Sequence, residues 1–210
     1  LVSSSAASDV YKRQDVLLWA RGVAVNSGMD VDISEPDVSP LQLQGPKSRD
    51  VLRAAFGDAP TELKYYRFME FDWDGVPLII SRTGWSSELG YEIFLRDGTQ
   101  GEKLWEHLMA VGGPLGLKPG HTSSIRRIEA GMLSYHADMT LANNPYEMGM
   151  GRLVDLDMEA DFISKAALTL IKERGVSQQL VGLEIDGAPF VGSNDFFWPV
   201  LKEGVKVGTC

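Results

Sequence analysis

The fold is constrained most strongly by three consecutive strand-like runs, at 65–73, 76–82 and 91–95. Asp74 and Gly75 separate the first two runs, and this dipeptide is typical of two-residue hairpin turns. A glycine-containing turn precedes the third run, in which side chains alternate as in a half-buried strand. Because short turns join antiparallel neighbours, the segment predicts an antiparallel sheet.

Helical patterns stand on both sides of these strands. Residues 41–44 alternate strictly and predict another strand, and Pro46 then opens a helix that Gly57 ends. A second helix follows the last strand. One face of the first helix comprises Val51, Leu52, Ala55 and Phe56, and the second helix is marked by Leu104, Trp105, Leu108 and Met109. The order strand, helix, three strands, helix is typical of an α+β fold with helices on one face of an antiparallel sheet.

The remaining segments show weaker patterns. Residues 15–25 suit a strand or a short helix. Beyond a linker rich in Gly and Pro, we expect helices over 125–133 and 164–174, short strands over 153–156 and 180–185, and a hairpin over 198–207 that turns at Glu203 and Gly204. Residues 1–14 lack the apolar core of a signal peptide and resemble translated adapter sequence, so we interpret them as a sequencing or cloning artefact.

Composition and charge exclude several functional classes. The net charge is −9, whereas nucleic-acid-binding domains usually carry a basic stripe. Cys210 is the only cysteine, which excludes a disulfide framework and a cysteine metal site and indicates a reducing, cytoplasmic compartment. The histidines His107, His121 and His136 lack metal-ligand spacing, and we place His107 on the polar side of its helix. No apolar run approaches the ~20 residues of a membrane-spanning helix.

An aromatic ring and a carboxylate seven residues apart, those of Trp85 and Glu92, form the candidate site. Hairpin folding would bring them close together. This pair suits a flat heterocycle such as a pterin, because the ring can stack and the carboxylate can accept two N–H groups. Alternation places Glu92 and Phe94 on the strand face opposite Tyr91. A carboxylate beside Phe94 is either partly buried and paired or exposed, and Trp85 alone equally suits a core or rim position.

Three sequence blocks together resemble the folate-binding aminomethyltransferase family, which includes the glycine-cleavage T-protein. Residues 43–48 read LQGPKS and are similar to the family's Q-G-P step from strand to helix. Residues 82–93 read RTGWSSELGYEI, against the family pattern R-T-G-Y-T-G-E-x-G-(F/Y)-E. Residues 127–135 read RIEAGMLSY, against R-L-E-A-G-x-x-x-Y, and NPYEMG follows at 144–149.

The resemblance implies a clover-leaf fold of three domains around a folate channel, with tetrahydrofolate as the cofactor. It places Trp85 beside the folate and Glu92 against the pterin. Tyr91 and Arg82, from the same block, complete the predicted cofactor-binding set. The family's key acidic segment is expected before Asp15, so the catalytic residues are unknown. We therefore expect an internal fragment of a longer protein that is inactive alone.

The resemblance also divides the chain into segments. After the artefact at 1–14, we predict a remnant of the N-terminal folate-binding domain at 15–40, an α+β, ferredoxin-like domain at 41–118, connecting helices that return to the folate-binding core at 119–175, and a truncated C-terminal β-barrel domain at 176–210. The expected partner is a small-molecule donor, with neither nucleic acid nor membrane.

Departures from the T-protein pattern indicate the methyl donor. The T-protein has Tyr at the position of Trp85 and Arg at the position of Ser123. The stretches at 133–135 and 143–147, together with Trp85, are more similar to the dimethylsulfoniopropionate demethylase branch. The resemblance therefore implies a tetrahydrofolate-dependent methyltransferase that demethylates dimethylsulfoniopropionate, giving 5-methyltetrahydrofolate and methylmercaptopropionate.

Three alternatives stay open. The first is an aminomethyltransferase of glycine cleavage, or a relative that acts on N-methyl amines. The second is a non-catalytic folate-binding protein of the same fold, a class that carries an internal Cys motif which this sequence lacks. The third is an α+β domain with no ligand, in which Trp85 fluorescence would ignore added folate.

Overall fold

The computed structural model describes residues 5–36, 38–121, 124–188 and 197–210. The chain forms two compact units, Leu1–Leu133 and Ser134–Cys210. The boundary between them falls inside the segment 119–175 that the sequence predicts as connecting helices, and the sequence-based domain limits stay predictions. Within the described ranges, no helix combines the length and the apolar character that a membrane span requires.

The first unit contains one four-stranded sheet and most of the helices. Its elements are α1 (Ser5–Val25), β1 (Ser39–Gln44), α2 (Ser48–Phe56), β2 (Phe68–Trp73), β3 (Val76–Ser81), β4 (Gly90–Leu95), α3 (Gly101–Gly112) and α4 (Ser124–Glu129). The predicted α+β class and the order strand, helix, three strands, helix are confirmed. Residues 15–25 are helical, and the same helix includes residues 5–14, whose interpretation as an artefact stays a prediction.

The sheet is antiparallel throughout, with the strand order β1-β4-β3-β2. The hairpin between β2 and β3 turns at Asp74 and Gly75, whose φ angles are 49° and 81°. Positive φ at both central residues is the hallmark of the turn that matches strand twist, so this prediction is confirmed. Strand β2 begins at Phe68, three residues later than predicted, because Tyr66 has a φ of 59° and leaves the extended conformation.

One face of the sheet packs against α2 and α3 to form the core. Alternate strand residues point to this face, and the helices contribute one stripe each. The buried set comprises Leu43, Trp73, Val76, Leu78, Ile80, Tyr91, Ile93 and Leu95 from the strands and Val51, Leu52, Phe56, Leu104 and Leu108 from the helices. Each fully buried aliphatic side chain contributes ~1.5–3 kcal/mol. The two helices therefore pack against one face of β4, and polar side chains can occupy the opposite face.

Helix α2 starts at Ser48, two residues after the predicted Pro46. Gly45 has a φ of 120° and its carbonyl accepts a hydrogen bond from the Ser48 amide, so the chain makes a turn before the helix begins. Helix α4 ends at Glu129 rather than at 133. Gly131 has a φ of 66° there, and a left-handed glycine is a common way to end a helix.

The placement of His107 on the polar side of its helix is wrong. Its Nε2 atom lies 3.0 Å from the Ala55 carbonyl oxygen, and its ring centroid lies 5.0 Å from that of Trp73 and 6.0 Å from that of Phe56. The half-buried imidazole thus joins α3 to the end of α2. This role is structural and consistent with the lack of metal-ligand spacing.

The second unit contains α5 (Lys165–Arg174) and a hairpin of β5 (Pro199–Lys202) and β6 (Val205–Thr209). The predicted hairpin is confirmed, with Glu203 and Gly204 at φ angles of 51° and 79°. The strands predicted at 153–156 and 180–185 are wrong. In the first, the Asp155 carboxylate accepts bonds from two following amides and forms a turn instead of a strand. The C-terminal β-barrel stays a prediction.

Candidate functional site

The sheet face opposite the core, the outer face, mixes polar and apolar side chains. Cross-strand register places its residues in two neighbouring rows, Phe68–Ser81–Glu92–Gln42 and Glu70–Ile79–Phe94–Pro40. Glu92, Phe94 and Ile79 are half-buried, and Phe68 is exposed. The outer face therefore offers a carboxylate bordered by aromatic and aliphatic surface, as the alternation of 91–95 indicated.

Glu92 is partly buried and hydrogen-bonded, which settles the alternative that the sequence left open. Gln42 Nε2 donates to Glu92 Oε1 at 3.2 Å. The Thr83 hydroxyl donates to Oε2 at 2.5 Å. An ionised carboxylate has about four acceptor sites, so roughly two stay available for further N–H donors.

A short hydrogen-bond relay supports Thr83 in turn. The Ser81 and Thr83 hydroxyl oxygens lie 2.5 Å apart. The Glu92 carboxylate can only accept hydrogen bonds, so Thr83 donates its single hydroxyl proton to it. Ser81 is therefore the donor to Thr83. The relay aligns Glu92 with the end of β3. Sequence reasoning missed Thr83 and Gln42, although the strict alternation of 41–44 already placed Gln42 on one strand face with Gln44.

Trp85 lies in the loop at 82–89 that joins β3 to β4, two residues beyond Thr83. The predicted pairing of the two strands is confirmed, with Ser81 opposite Glu92. The indole is 36% exposed, so its ring retains surface on which a planar ligand could stack. Because Trp85 lies in the loop, its distance to the Glu92 carboxylate is set by the loop conformation and not by strand register.

Arg82, at the start of this loop, lines a cleft of ≈ 240 Å³. The cleft walls comprise Tyr65, Arg82, Thr83, Gly84, Ser87, Glu88, Leu89 and Met132. Arg82 donates to the Gly90 carbonyl oxygen at 3.1 Å, and its guanidinium carbon lies 5.4 Å from the Tyr91 ring centroid and 5.8 Å from that of Tyr65. These contacts hold the guanidinium beside the loop.

Tyr91 lies on the other side of β4 from Glu92, with its side chain fully buried in the core. Its hydroxyl accepts a hydrogen bond from Arg49 Nε at 3.4 Å, and this bond is the main reason why the pKa of Arg49 is raised. The structure therefore connects Tyr91 to the loop through the ring contact with Arg82. Its role in cofactor binding stays a prediction.

The positions that bear on the methyl donor are only partly described. Ser123 lies outside the described residues. In the second unit, Asn144 Oδ1 accepts from the Tyr146 and Glu147 amides, and the Glu147 carboxylate accepts from the Asn144 amide at 3.3 Å. These contacts satisfy local backbone groups.

A second cleft of ≈ 290 Å³ lies next to them, lined by Asn144, Glu147, Ile171, Arg174, Gly175, Val176 and Ser177. Among the described residues, no group of three or more His, Cys, Asp or Glu could hold a metal ion.

Comparisons with known proteins agree on one family. The GCVT N-terminal domain model matches residues 4–158. The dimethylsulfoniopropionate demethylase DmdA of Ruegeria pomeroyi is 38% identical over 194 residues, which make up 92% of this chain and 52% of that protein. Aminomethyltransferases of Bacillus cereus and Bacillus mycoides are each 34% identical over 171 residues, or 80% of this chain and 46% of theirs.

The chain thus spans about half the length of the curated relatives it matches. The matched region includes the whole four-stranded sheet, the loop at 82–89 and the Glu92 carboxylate. The resemblance seen in the three sequence blocks is confirmed at the level of the family. The chain belongs to the family of the GCVT N-terminal domain.

Proposed function

We propose that this chain is the folate-binding part of a tetrahydrofolate-dependent methyltransferase whose methyl donor is dimethylsulfoniopropionate. The observation that carries the proposal is the half-buried Glu92 carboxylate on the outer face, held by Gln42 and Thr83 with acceptor sites to spare. The similarity to a dimethylsulfoniopropionate demethylase over 92% of the chain supports the choice of donor.

The residues of the outer face fit a pterin. A pterin presents neighbouring N–H groups, and a carboxylate that accepts two of them forms a strong, charge-assisted pair. Phe94, two residues beyond Glu92 on the same face, adds apolar surface for the flat ring. Trp85 supplies a partly exposed indole from the adjoining loop. In this proposal Glu92 and Trp85 bind the ligand, Arg82 orders the loop, and Tyr91 supports Arg82 from the core.

The proposed reaction needs little acid–base chemistry from the protein. When bound, tetrahydrofolate supplies the N5 nitrogen that accepts the methyl group. The S–CH₃ bond of the sulfonium breaks and its electron pair stays on sulfur, while an N–CH₃ bond forms and the N5 proton leaves to solvent. The products are methylmercaptopropionate and 5-methyltetrahydrofolate. Because a sulfonium is already a good leaving group, the chain contributes mainly by orienting the reactants.

A second candidate is aminomethyl transfer, which the 34% identity to aminomethyltransferases over 80% of the chain supports. Ser123, where the T-protein pattern has Arg, argues against it. Both candidates use the same folate site and differ in the donor. A small-molecule donor and a cytoplasmic location belong to the proposal in either case.

Methyl transfer is tested on the complete gene product that contains this chain. The protein is incubated anaerobically with tetrahydrofolate and with dimethylsulfoniopropionate that carries deuterated methyl groups. Mass spectrometry should detect deuterated 5-methyltetrahydrofolate, and the Glu92→Gln protein should form much less. Turnover only with an aminomethylated lipoyl carrier would reject the demethylase and support the second candidate. Absence of turnover with both donors, together with absent folate binding, would reject the folate enzyme altogether.

A further inference from the structure

The side chain of Gln44, the last residue of β1, lies between two glycines of the site. Gln44 pairs with Gly90 across the strands, and Gly84 belongs to the loop at 82–89. A Cβ atom added to Gly84 would lie 2.3 Å from Gln44 Oε1, and one added to Gly90 would lie 2.2 Å from it. Both positions therefore exclude any larger residue as long as the Gln44 amide occupies this place.

The Gln44 amide uses both of its ends in hydrogen bonds. Oε1 accepts from the Ser86 hydroxyl at 2.6 Å. Nε2 donates to the carbonyl oxygens of Thr83 at 3.4 Å and Tyr91 at 3.3 Å. One acceptor and two donors match an amide, whereas a carboxylate offers no donors and a thioether offers neither strong donors nor strong acceptors.

Each of these three partners is bonded to, or next in sequence to, one of the proposed ligand-binding groups. Thr83 donates its hydroxyl to the Glu92 carboxylate, and Tyr91 is the residue before Glu92. Ser86 is the residue after Trp85. One side chain thus links the carboxylate to the segment that carries the indole. The far end of the loop is held separately, since the Leu89 carbonyl accepts from the Gly45 amide at 2.8 Å and the Ser48 hydroxyl at 2.9 Å.

We propose that Gln44 is a positioning residue that fixes the loop at 82–89, and with it the placement of the Trp85 indole relative to the Glu92 carboxylate. The proposal rests on the proposed function, in which these two groups bind tetrahydrofolate. A loop that is ordered before binding need not lose its freedom when the ligand arrives, so the ligand binds more tightly. Removing the Gln44 amide weakens folate binding without removing any group that touches the ligand.

The main test is Gln44→Glu, which keeps the size of the side chain, removes both donors and places a negative charge against two carbonyls. The matched control is Gln100→Glu, the same change at a half-buried glutamine whose amide donates to the Thr99 hydroxyl outside the loop. If the loop of Gln44→Glu is ordered in about one molecule in ten, the Kd for tetrahydrofolate rises roughly tenfold, because only the ordered molecules bind the ligand. The control should bind as the wild type does.

Loop order is read independently of any ligand by ¹⁹F NMR of protein labelled with 5-fluorotryptophan. The chain has five tryptophans, and the Trp85 resonance is the one that Trp85→Phe removes. In Gln44→Glu without ligand, this resonance should shift or broaden, and the other four should stay in place. A resonance that does not move in a variant that binds folate normally would overturn the proposal.

A second variant keeps the test decisive if Gln44→Glu folds poorly. Gly90→Ala displaces the Gln44 amide by crowding, so it should reproduce the shift of the Trp85 resonance and the higher Kd. Gln44→Ala in the Gly90→Ala background should add little to either, because both changes remove the same contacts. Fully additive effects would overturn the proposal. Wild-type protein that binds no folate would overturn the proposed function, and with it the ligand role of Gln44, whatever the resonance shows.

Discussion

Replacing Glu92 by glutamine tests the candidate site most directly. The substitution keeps the shape of the side chain and removes its charge. In the folded protein, Gln42 and Thr83 donate to the two carboxylate oxygens, so an amide can keep the first bond and keeps the second only if the Thr83 hydroxyl changes from donor to acceptor. The protein without ligand should therefore lose only about 1 kcal/mol of its free energy of unfolding.

The effect on folate binding should be larger. A glutamine amide offers one acceptor where the carboxylate offered two, and its NH₂ group faces the ligand's own N–H donors. A hydrogen bond to a charged group contributes about 1.5–3 kcal/mol. Loss of one such bond corresponds to a Kd for tetrahydrofolate that is roughly 10- to 150-fold higher.

The assay is isothermal titration calorimetry of tetrahydrofolate under anaerobic conditions, with Glu70→Gln as the control. Glu70 lies on the same outer face, its side chain is 78% exposed, and its carboxylate lies 4.0 Å from Arg96. The control removes the same charge from the same face, so it reports any general electrostatic effect. A Kd for Glu92→Gln within twofold of the wild type, or an equal loss in Glu70→Gln, would refute the assignment of Glu92 to the site.

Three further substitutions test the support of the site and the fold. Thr83→Val removes the hydroxyl that donates to Glu92. It should raise the Kd for tetrahydrofolate about fivefold in the same calorimetric assay, since one hydrogen bond of about 1 kcal/mol is lost. An unchanged affinity would show that Thr83 does not support Glu92. Ile80→Ala empties a fully buried position and should lower the free energy of unfolding by about 2–5 kcal/mol in urea denaturation, whereas a loss below 1 kcal/mol would contradict the described core. Gly75→Ala forces a φ of 81° on a residue with a Cβ and should cost about 1–2 kcal/mol in the same experiment, with no change in folate affinity.

The antiparallel run of β2, β3 and β4 could be predicted from the sequence because its features depend on short-range interactions. The turn at Asp74 and Gly75 needs only two residues that tolerate positive φ, and the alternation of 91–95 needs only the two-residue period of a strand. The same period placed Glu92 on the face opposite Tyr91. These features were predicted correctly because each depends on neighbours within a few residues along the chain.

Features that depend on a residue distant along the chain were predicted less well from the sequence. Residues 180–185 are apolar enough for a strand, but a strand also needs a neighbour that pairs with its backbone. His107 lies on an otherwise amphipathic helix, and only the approach of the Ala55 carbonyl and the Trp73 ring draws it into the core. No window of local sequence contains either partner.

The sequence by itself determined the α+β class, the strand alternation that turns Glu92 away from the core, and the motifs that identify the family. Only the tertiary structure decided how the site is held together. Gln44 reaches Thr83, Ser86 and Tyr91 across 39 to 47 residues of chain, and two glycines leave the space for its amide. Such contacts arise when β1 pairs with β4, and strand pairing across this distance is set by the packing of the whole domain and not by local preference.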